Sequence, residues 1–66
     1  MKITINGQEK QLAAPFNLQS LVKQFCRNAN RVIAEVNGRI VKNTAWDQTS
    51  IHDGDVVELV NFVGGG

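Results

Sequence analysis

The sequence predicts an α+β fold, in which a four- to five-stranded sheet packs on one helix in the order β-β-α-β-β. Three Asx-Gly pairs, Asn6-Gly7, Asn37-Gly38 and Asp53-Gly54, divide the 66-residue chain into short segments. Such pairs favour tight turns because both residue types tolerate positive φ. A single segment has helical periodicity, and one helix covers only one face of a sheet. The other face is therefore predicted to be open.

The first third of the chain predicts a hairpin. Residues 2–6 alternate polar and apolar side chains, and residues 8–14 follow the Asn6-Gly7 pair. Alternation on both sides of an Asn-Gly pair is typical of two antiparallel strands. Pro15 ends the second strand because it has no N–H group to donate.

One helix is predicted over residues 18–28. Asn17 is a favourable N-cap residue. Apolar residues then recur at i, i+3, i+4 and i+7, namely Leu18, Leu21, Val22 and Phe25. This spacing gives one apolar stripe that packs on the sheet.

The second half of the chain predicts three further strands. Residues 31–36 form one strand and residues 39–41 pair back on it across Asn37-Gly38. Residues 42–52 are irregular, with a possible single helical turn at residues 45–47. The last strand covers residues 55–62. The first and last strands are among the most apolar, so we expect both in the middle of the sheet.

Size and charge narrow the functional classes. The net charge is +1, with seven basic and six acidic residues scattered along the chain, so we expect no nucleic-acid partner. No apolar segment approaches membrane-spanning length, so no membrane association is expected. A single cysteine, Cys26, cannot form an internal disulfide. That usage fits a reducing, cytoplasmic location.

No catalytic or metal-binding group is predicted in the body of the protein. Cys26 and His52 are the only thiol and imidazole, but a nucleophile and base also need an orienting group and a pocket. Asp53 and Asp55 flank one glycine and are interpreted as turn residues rather than metal ligands. Trp46 either covers a core edge or contacts a partner, and the sequence leaves both open.

The last strand has two apolar faces. Val57 and Leu59 lie on one face, which we expect the helix to cover. Val56, Val60 and Phe62 would then point outward. An exposed apolar cluster on a small protein often marks a docking surface, so these three residues are the predicted partner-binding group.

The chain ends in Gly64-Gly65-Gly66. Glycine has no β-carbon, so such a tail can enter a narrow channel and adopt nearly any backbone angle. A frayed terminus is the alternative interpretation. We expect one domain over residues 1–63 and a flexible tail over residues 64–66.

The stretch from Asp53 to Gly66 resembles the end of the ubiquitin-like β-grasp sulfur carriers of thiamin (thiazole) biosynthesis, the ThiS family. It has an Asp-x-Asp turn, a valine-rich strand and Val-Gly-Gly-Gly. The opening Ile3-Thr4-Ile5-Asn6-Gly7 and the stretch from Val36 to Val41 followed by Trp46 are further resemblances.

The resemblance implies a carrier, not an enzyme, with no bound cofactor. It implies that an E1-like adenylyltransferase uses ATP to adenylate the Gly66 carboxylate. Sulfur from a persulfide donor would convert it to a thiocarboxylate, the 1-thioglycine form. Thiazole synthase would then take the sulfur, with Gly64 and Gly65 as the slim stalk.

Three other functions remain open at this point. The small subunit of molybdopterin synthase shares the fold and chemistry, although its members tend to be longer and to end in a single Gly-Gly pair. A ubiquitin-like modifier would form an isopeptide with a lysine. A β-grasp protein-binding module would have an inert tail.

Overall fold

A computed structural model describes residues 1–13, 16–26 and 29–61. The elements are β1 (Lys2–Ile5), β2 (Gln8–Gln11), β3 (Phe16–Asn17), α1 (Leu18–Phe25), β4 (Val32–Val36), β5 (Arg39–Val41), β6 (Ser50–Ile51) and β7 (Val56–Asn61), with 3-10 helices at Ala29–Arg31 and Asn43–Gln48. Nowhere in these described ranges does a helix have the length and apolar character needed to cross a membrane.

Five of these strands form one mixed sheet in the order β2-β1-β7-β4-β5. β7 pairs with β1 in parallel and with β4 antiparallel, while the two outer pairs are antiparallel hairpins. The prediction that the first and last strands lie inside the sheet is confirmed. The last strand is the central one.

Both predicted Asn-Gly hairpin turns are present. Asn6 and Asn37 have φ values of 50° and 53°, and Gly7 and Gly38 follow at 81° and 83°. Two successive residues with positive φ form the turn whose twist matches that of paired strands. The two observed strands are shorter than the predicted ranges 2–6 and 8–14, because β1 ends at Ile5 and β2 ends at Gln11.

The helix begins where the sequence predicts and ends earlier. Asn17 Oδ1 accepts a hydrogen bond of 2.8 Å from the Ser20 N–H, which is the expected N-cap contact. α1 ends at Phe25, so the predicted continuation of the helix through Cys26 is wrong, and the predicted helical residues 27 and 28 lie outside the described residues. Cys26 is extended (φ −130°, ψ 137°), and its N–H closes the last turn on the Val22 carbonyl at 2.8 Å. The apolar stripe has its last member at Phe25, so packing does not favour a further turn.

The segment 42–52 is more regular than expected. The 3-10 helix Asn43–Gln48 extends beyond the single turn predicted there, and β6 follows it. β6 pairs with β3 in a second, two-stranded sheet that the sequence analysis missed. It was missed because β3 and β6 have only two residues each, which is too short to show an alternation of polar and apolar side chains.

Trp46 belongs to the core. Its side chain is 4% exposed, and its Nε1–H donates a 2.9 Å hydrogen bond to the Val41 carbonyl. The burial of the indole body and the pairing of its polar edge settle the two alternatives in favour of a structural role. Within the part of the chain that the structure describes, ten core residues are buried, and they come from both layers and from the segment between β5 and β7: Ile3, Ile5, Leu18, Leu21, Val22, Ala34, Trp46, Ile51, Val57 and Leu59.

Replacing the N-cap residue tests the helix start. We expect Asn17→Ala to lower the free energy of unfolding by about 1 kcal/mol, because the Ser20 N–H loses its acceptor. Urea denaturation measures this change. Asn17→Ser, which keeps a capping oxygen, should stay close to wild type. Equal stability of the alanine and serine variants would contradict a capping role.

Candidate functional site

The central strand β7 leads toward the chain's C-terminal residues. Its last residue is Asn61. Phe62, Gly64, Gly65 and Gly66, four residues of the predicted site, lie outside the described residues. The described part of the site therefore consists of β7, the exposed face of the sheet to which β7 belongs, and the surface around Asn61.

The two faces of β7 differ as predicted. Val57 and Leu59 are buried beneath α1 and belong to the core. Val56 and Val60 lie on the opposite face and are about half exposed. The predicted outward position of these two residues is confirmed, and their role in partner binding stays a prediction.

Two further apolar residues extend this exposed surface. Ile33 of β4 lies directly opposite Val60 in the antiparallel register, and Ile40 of β5 lies opposite Glu35. We call the surface formed by six residues of β4, β5 and β7 the open face: Ile33, Glu35, Ile40, Val56, Glu58 and Val60. Its four apolar side chains are between 44% and 70% exposed.

Sequence reasoning missed Ile33 and Ile40. The signal was present, since Ile33 alternates with the inward residues Val32 and Ala34, and so points to the other face. For Ile40 the pairing register is needed as well, because β5 has only three residues.

The open face carries a pair of like charges. Glu35 and Glu58 are cross-strand partners in the β4–β7 register. Like charges directly opposite each other destabilise a sheet by a few tenths of a kcal/mol, roughly up to 1 kcal/mol. A basic group from another molecule would relieve this repulsion.

A cleft lies beside the end of β7. It has a volume of about 550 Å³ and is lined by residues of β1, β2, α1 and β7 and of the positions that follow them: Ile5, Asn6, Gln8, Lys10, Phe25, Cys26, Leu59 and Asn61. Among the described residues of this lining, Lys10 is the charged one. The cleft therefore adjoins Asn61, the last residue that the structure describes.

Cys26 and His52 lie in different parts of the fold. Cys26 lines the cleft at the end of β1, together with Asn6. His52 lies near the start of β1. The next residue, Asp53, accepts a 2.6 Å hydrogen bond on its Oδ1 from the Lys2 N–H, at the first residue of β1. Partial burial raises the pKa of the Cys26 thiol, which keeps it protonated near neutral pH. A nucleophile and base acting together are not supported.

Asp53 and Asp55 are turn residues, as the sequence analysis interprets them. Asp55 Oδ2 accepts from the His52 N–H at 2.8 Å, and its Oδ1 accepts from Asn37 Nδ2 at 3.0 Å. Gly54, at φ 89°, sits between them. Within the described residues, no group of three or more His, Cys, Asp or Glu side chains is placed to hold a metal ion.

The mixed five-stranded sheet with one helix defines a β-grasp protein, and one face of its central strand β7 is exposed. The family model of the ThiS family matches residues 3–66. The crystal structure of a thiamine biosynthesis protein (ThiS) from Geobacter metallireducens superposes with a TM-score of 0.87 at 35% identity, covering both chains completely.

Two curated relatives agree with this match. The sulfur carrier protein ThiS of Escherichia coli strain K12 is 30% identical over 66 residues, which is the full length of both chains. A thiazole synthase of Paramagnetospirillum magneticum is 35% identical over the same 66 residues, and the chain spans 20% of that longer protein.

The chain therefore belongs to the ThiS family. It is a sulfur carrier of thiamine biosynthesis and not itself a catalyst. The family match extends to Gly66, the residue to which the sequence analysis assigns the chemistry, and it favours the thiamine pathway over the molybdopterin alternative.

The raised pKa of Cys26 predicts how its thiol reacts. The thiolate is the reactive form, so alkylation of the folded protein by iodoacetamide should reach its maximum rate at a higher pH than alkylation of the urea-unfolded protein. Mass spectrometry across a pH series measures both profiles. A folded-state profile shifted to lower pH would instead reveal an activated cysteine.

Proposed function

We propose that Gly66 carries sulfur as a C-terminal thiocarboxylate and that this sulfur enters the thiazole ring of thiamin. The observation that carries the proposal is the family match over residues 3–66, which includes the whole Gly64-Gly65-Gly66 segment. The domain over residues 1–63 would serve as the recognition body, and residues 64–66 as the tail that enters the partners' active sites.

The chemistry follows from the state of a C-terminal carboxylate. It is ionised at neutral pH and is a poor electrophile. An activating enzyme supplies ATP, and attack of the carboxylate on the α-phosphate releases pyrophosphate and gives an acyl adenylate. The terminal sulfur of a persulfide displaces AMP, and thiol cleavage of the sulfur–sulfur bond leaves the thiocarboxylate. The carrier thus needs no bound cofactor of its own.

Two partner enzymes are proposed. An E1-like adenylyltransferase of the ThiF type would activate Gly66, and a thiazole synthase of the ThiG type would consume the sulfur. The second proposal is supported by the relative from P. magneticum, a thiazole synthase in which a segment similar to this whole chain forms a fifth of the protein. The single free cysteine agrees with a reducing cytoplasm as the location of these reactions.

The open face is the proposed docking surface for these partners. Val56 and Val60 would supply apolar contact on β7, the strand that precedes the glycine tail, and Phe62 is proposed to extend this apolar surface. Ile33 and Ile40 widen the apolar area on the neighbouring strands. The Glu35–Glu58 pair favours a partner surface that contributes a lysine or arginine, since complementary charge guides association and fixes the docked register.

Deleting the terminal residue tests the assignment to Gly66. With ATP, a sulfur donor and the cognate activating enzyme, the wild-type protein should gain mass by the difference between sulfur and oxygen, located on Gly66 by fragmentation. The variant lacking Gly66 should gain nothing, while its circular dichroism and thermal midpoint stay unchanged. Rescue of a thiamin auxotroph by this truncated variant would refute the carrier proposal.

The acidic pair makes a second prediction, in which stability and binding change in opposite directions. Glu58→Gln should stabilise the isolated protein by a few tenths of a kcal/mol, roughly up to 1 kcal/mol, because it removes cross-strand repulsion. It should also weaken binding to the activating enzyme and reduce the salt dependence of that binding. Calorimetric titration at two salt concentrations measures both binding effects.

Asp47→Asn is the matched control for this experiment. It removes the same charge from an exposed residue of the Asn43–Gln48 helix, away from the open face. It should change binding little. Equal weakening by both variants would point to net charge rather than to the open face.

A further inference from the structure

The ladder between β1 and β7 stops before β7 ends. Its paired residues are Thr4 with Val56 and Ile5 with Val57. The Asn6 N–H makes the last main-chain bond across this ladder, to the Val57 carbonyl at 2.9 Å. The chain then turns away at Asn6-Gly7, so main-chain partners from β1 run out where β7 reaches Leu59.

The side chain of Asn6 takes the place of the missing strand. Its Oδ1 accepts from the Leu59 N–H at 2.8 Å, and its Nδ2 donates to the Leu59 carbonyl at 3.1 Å. A carboxamide offers the same donor and acceptor as a peptide group. The side chain of Asn6 therefore satisfies both the N–H and the carbonyl of Leu59. Both groups point toward β1, where no main-chain partner remains for them.

The location of this contact connects it to the tail. Leu59 is two residues before Asn61, the last residue of β7, and seven before Gly66. Asn6 and Leu59 also both line the cleft beside the strand's end. We propose that Asn6 is a positioning residue, which holds the end of β7 so that the tail leaves the domain in the direction that delivers Gly66 to the activating enzyme.

The proposal rests on the proposed function of Gly66 and makes Asn6 act through the backbone of Leu59. Holding the strand end restricts the region that the tail can sample, so a larger share of docked molecules would have the carboxylate at the reacting position. Loss of the contact should therefore reduce kcat. Docking through the open face would remain, so KM should change little.

The chain provides a matched control in its second Asn-Gly turn. Asn37 has nearly the same φ as Asn6, and its Oδ1 accepts from the Val56 N–H at 2.9 Å. Its contact thus holds the start of β7, at the far end from Asn61. Glycine tolerates positive φ at both positions. Asn6→Gly and Asn37→Gly therefore each remove a carboxamide that bonds to the backbone of β7, with little backbone strain.

The experiment compares thiocarboxylate formation by the wild-type protein and the two glycine variants, at varied carrier concentration with the activating enzyme, ATP and sulfur donor. We expect Asn6→Gly to lower kcat by about tenfold to a hundredfold, since small misplacements of a reacting group have effects of this size. KM should stay within about twofold of wild type. Asn37→Gly should keep the wild-type kcat, even where its thermal midpoint falls as much as that of Asn6→Gly.

NMR of the isolated protein gives a readout that does not depend on the reaction. The ¹⁵N order parameters of Val60 and Asn61 should fall in Asn6→Gly and stay at wild-type values in Asn37→Gly. Should Asn6→Gly fail to fold, Asn6→Asp serves instead, because it keeps the acceptor for the Leu59 N–H and replaces the donor to the Leu59 carbonyl. It should also lower kcat and both order parameters, because a carboxylate oxygen then faces the Leu59 carbonyl oxygen.

The outcomes separate this inference from the proposed function. If the wild-type protein forms the thiocarboxylate and the two glycine variants have the same kcat as each other, the positioning role of Asn6 is overturned. The proposed function of Gly66 would still stand. Absence of thiocarboxylate from the wild-type protein would refute the proposed function. In that case, unchanged order parameters at Val60 and Asn61 would overturn the inference as well, and lowered ones would support Asn6 as the residue that holds the strand end.

Discussion

The pairing of β7 between β1 and β4 is the interaction on which the rest of this fold depends. It joins the first and last strands of the chain, and bringing distant segments together has an entropic cost that grows slowly with the length of the loop. Because β1 and β7 are parallel, the chain between them has to cross from one end of the sheet to the other. α1 lies in that crossover and covers one face. β2 and β5 then form the two edges of the sheet, each paired with the strand next to it in the chain.

The same pairing gives β7 two different faces. Its inward residues, Val57 and Leu59, join the helix and Trp46 in a core with no buried polar side chain among the described residues. Its outward residues, Val56, Glu58 and Val60, lie on the open face. A small domain has few residues to spare, so one strand supplies both a core face and the proposed docking surface. Under the proposed function, the residues that recognise the partners and those that precede Gly66 in the chain would belong to the same central strand.

Much of this arrangement could be predicted from local patterns. The two Asn-Gly hairpin turns, the Asn17 cap and the inward and outward alternation of β7 each follow from a few adjacent residues, and the structure confirms them. The position of Trp46 and the β3–β6 pairing depend on contacts between distant segments, which single-sequence periodicity does not report. The end of α1 at Phe25 coincides with the last member of the apolar stripe, but the stripe alone did not show that Cys26 is extended.

The candidate site divides in the same way. The resemblance to the sulfur carriers implied Gly66, which lies outside the described residues, and strand alternation predicted the two exposed valines. Ile33 and Ile40 became part of the surface only through the pairing register. The two hydrogen bonds from Asn6 to Leu59 link residues 53 positions apart. Local sequence assigns Asn6 to a turn, which is correct but incomplete.

The central claim is that Gly66 carries sulfur for thiazole formation. The most direct test is the intact mass of this protein isolated from its native cells after removal of thiazole synthase, with fragmentation to locate any change. Without the consuming enzyme the loaded carrier should accumulate, so the account predicts one oxygen-to-sulfur exchange on Gly66. An unmodified Gly66 carboxylate in those cells, or an isopeptide bond from Gly66 to a lysine of another protein, would contradict it.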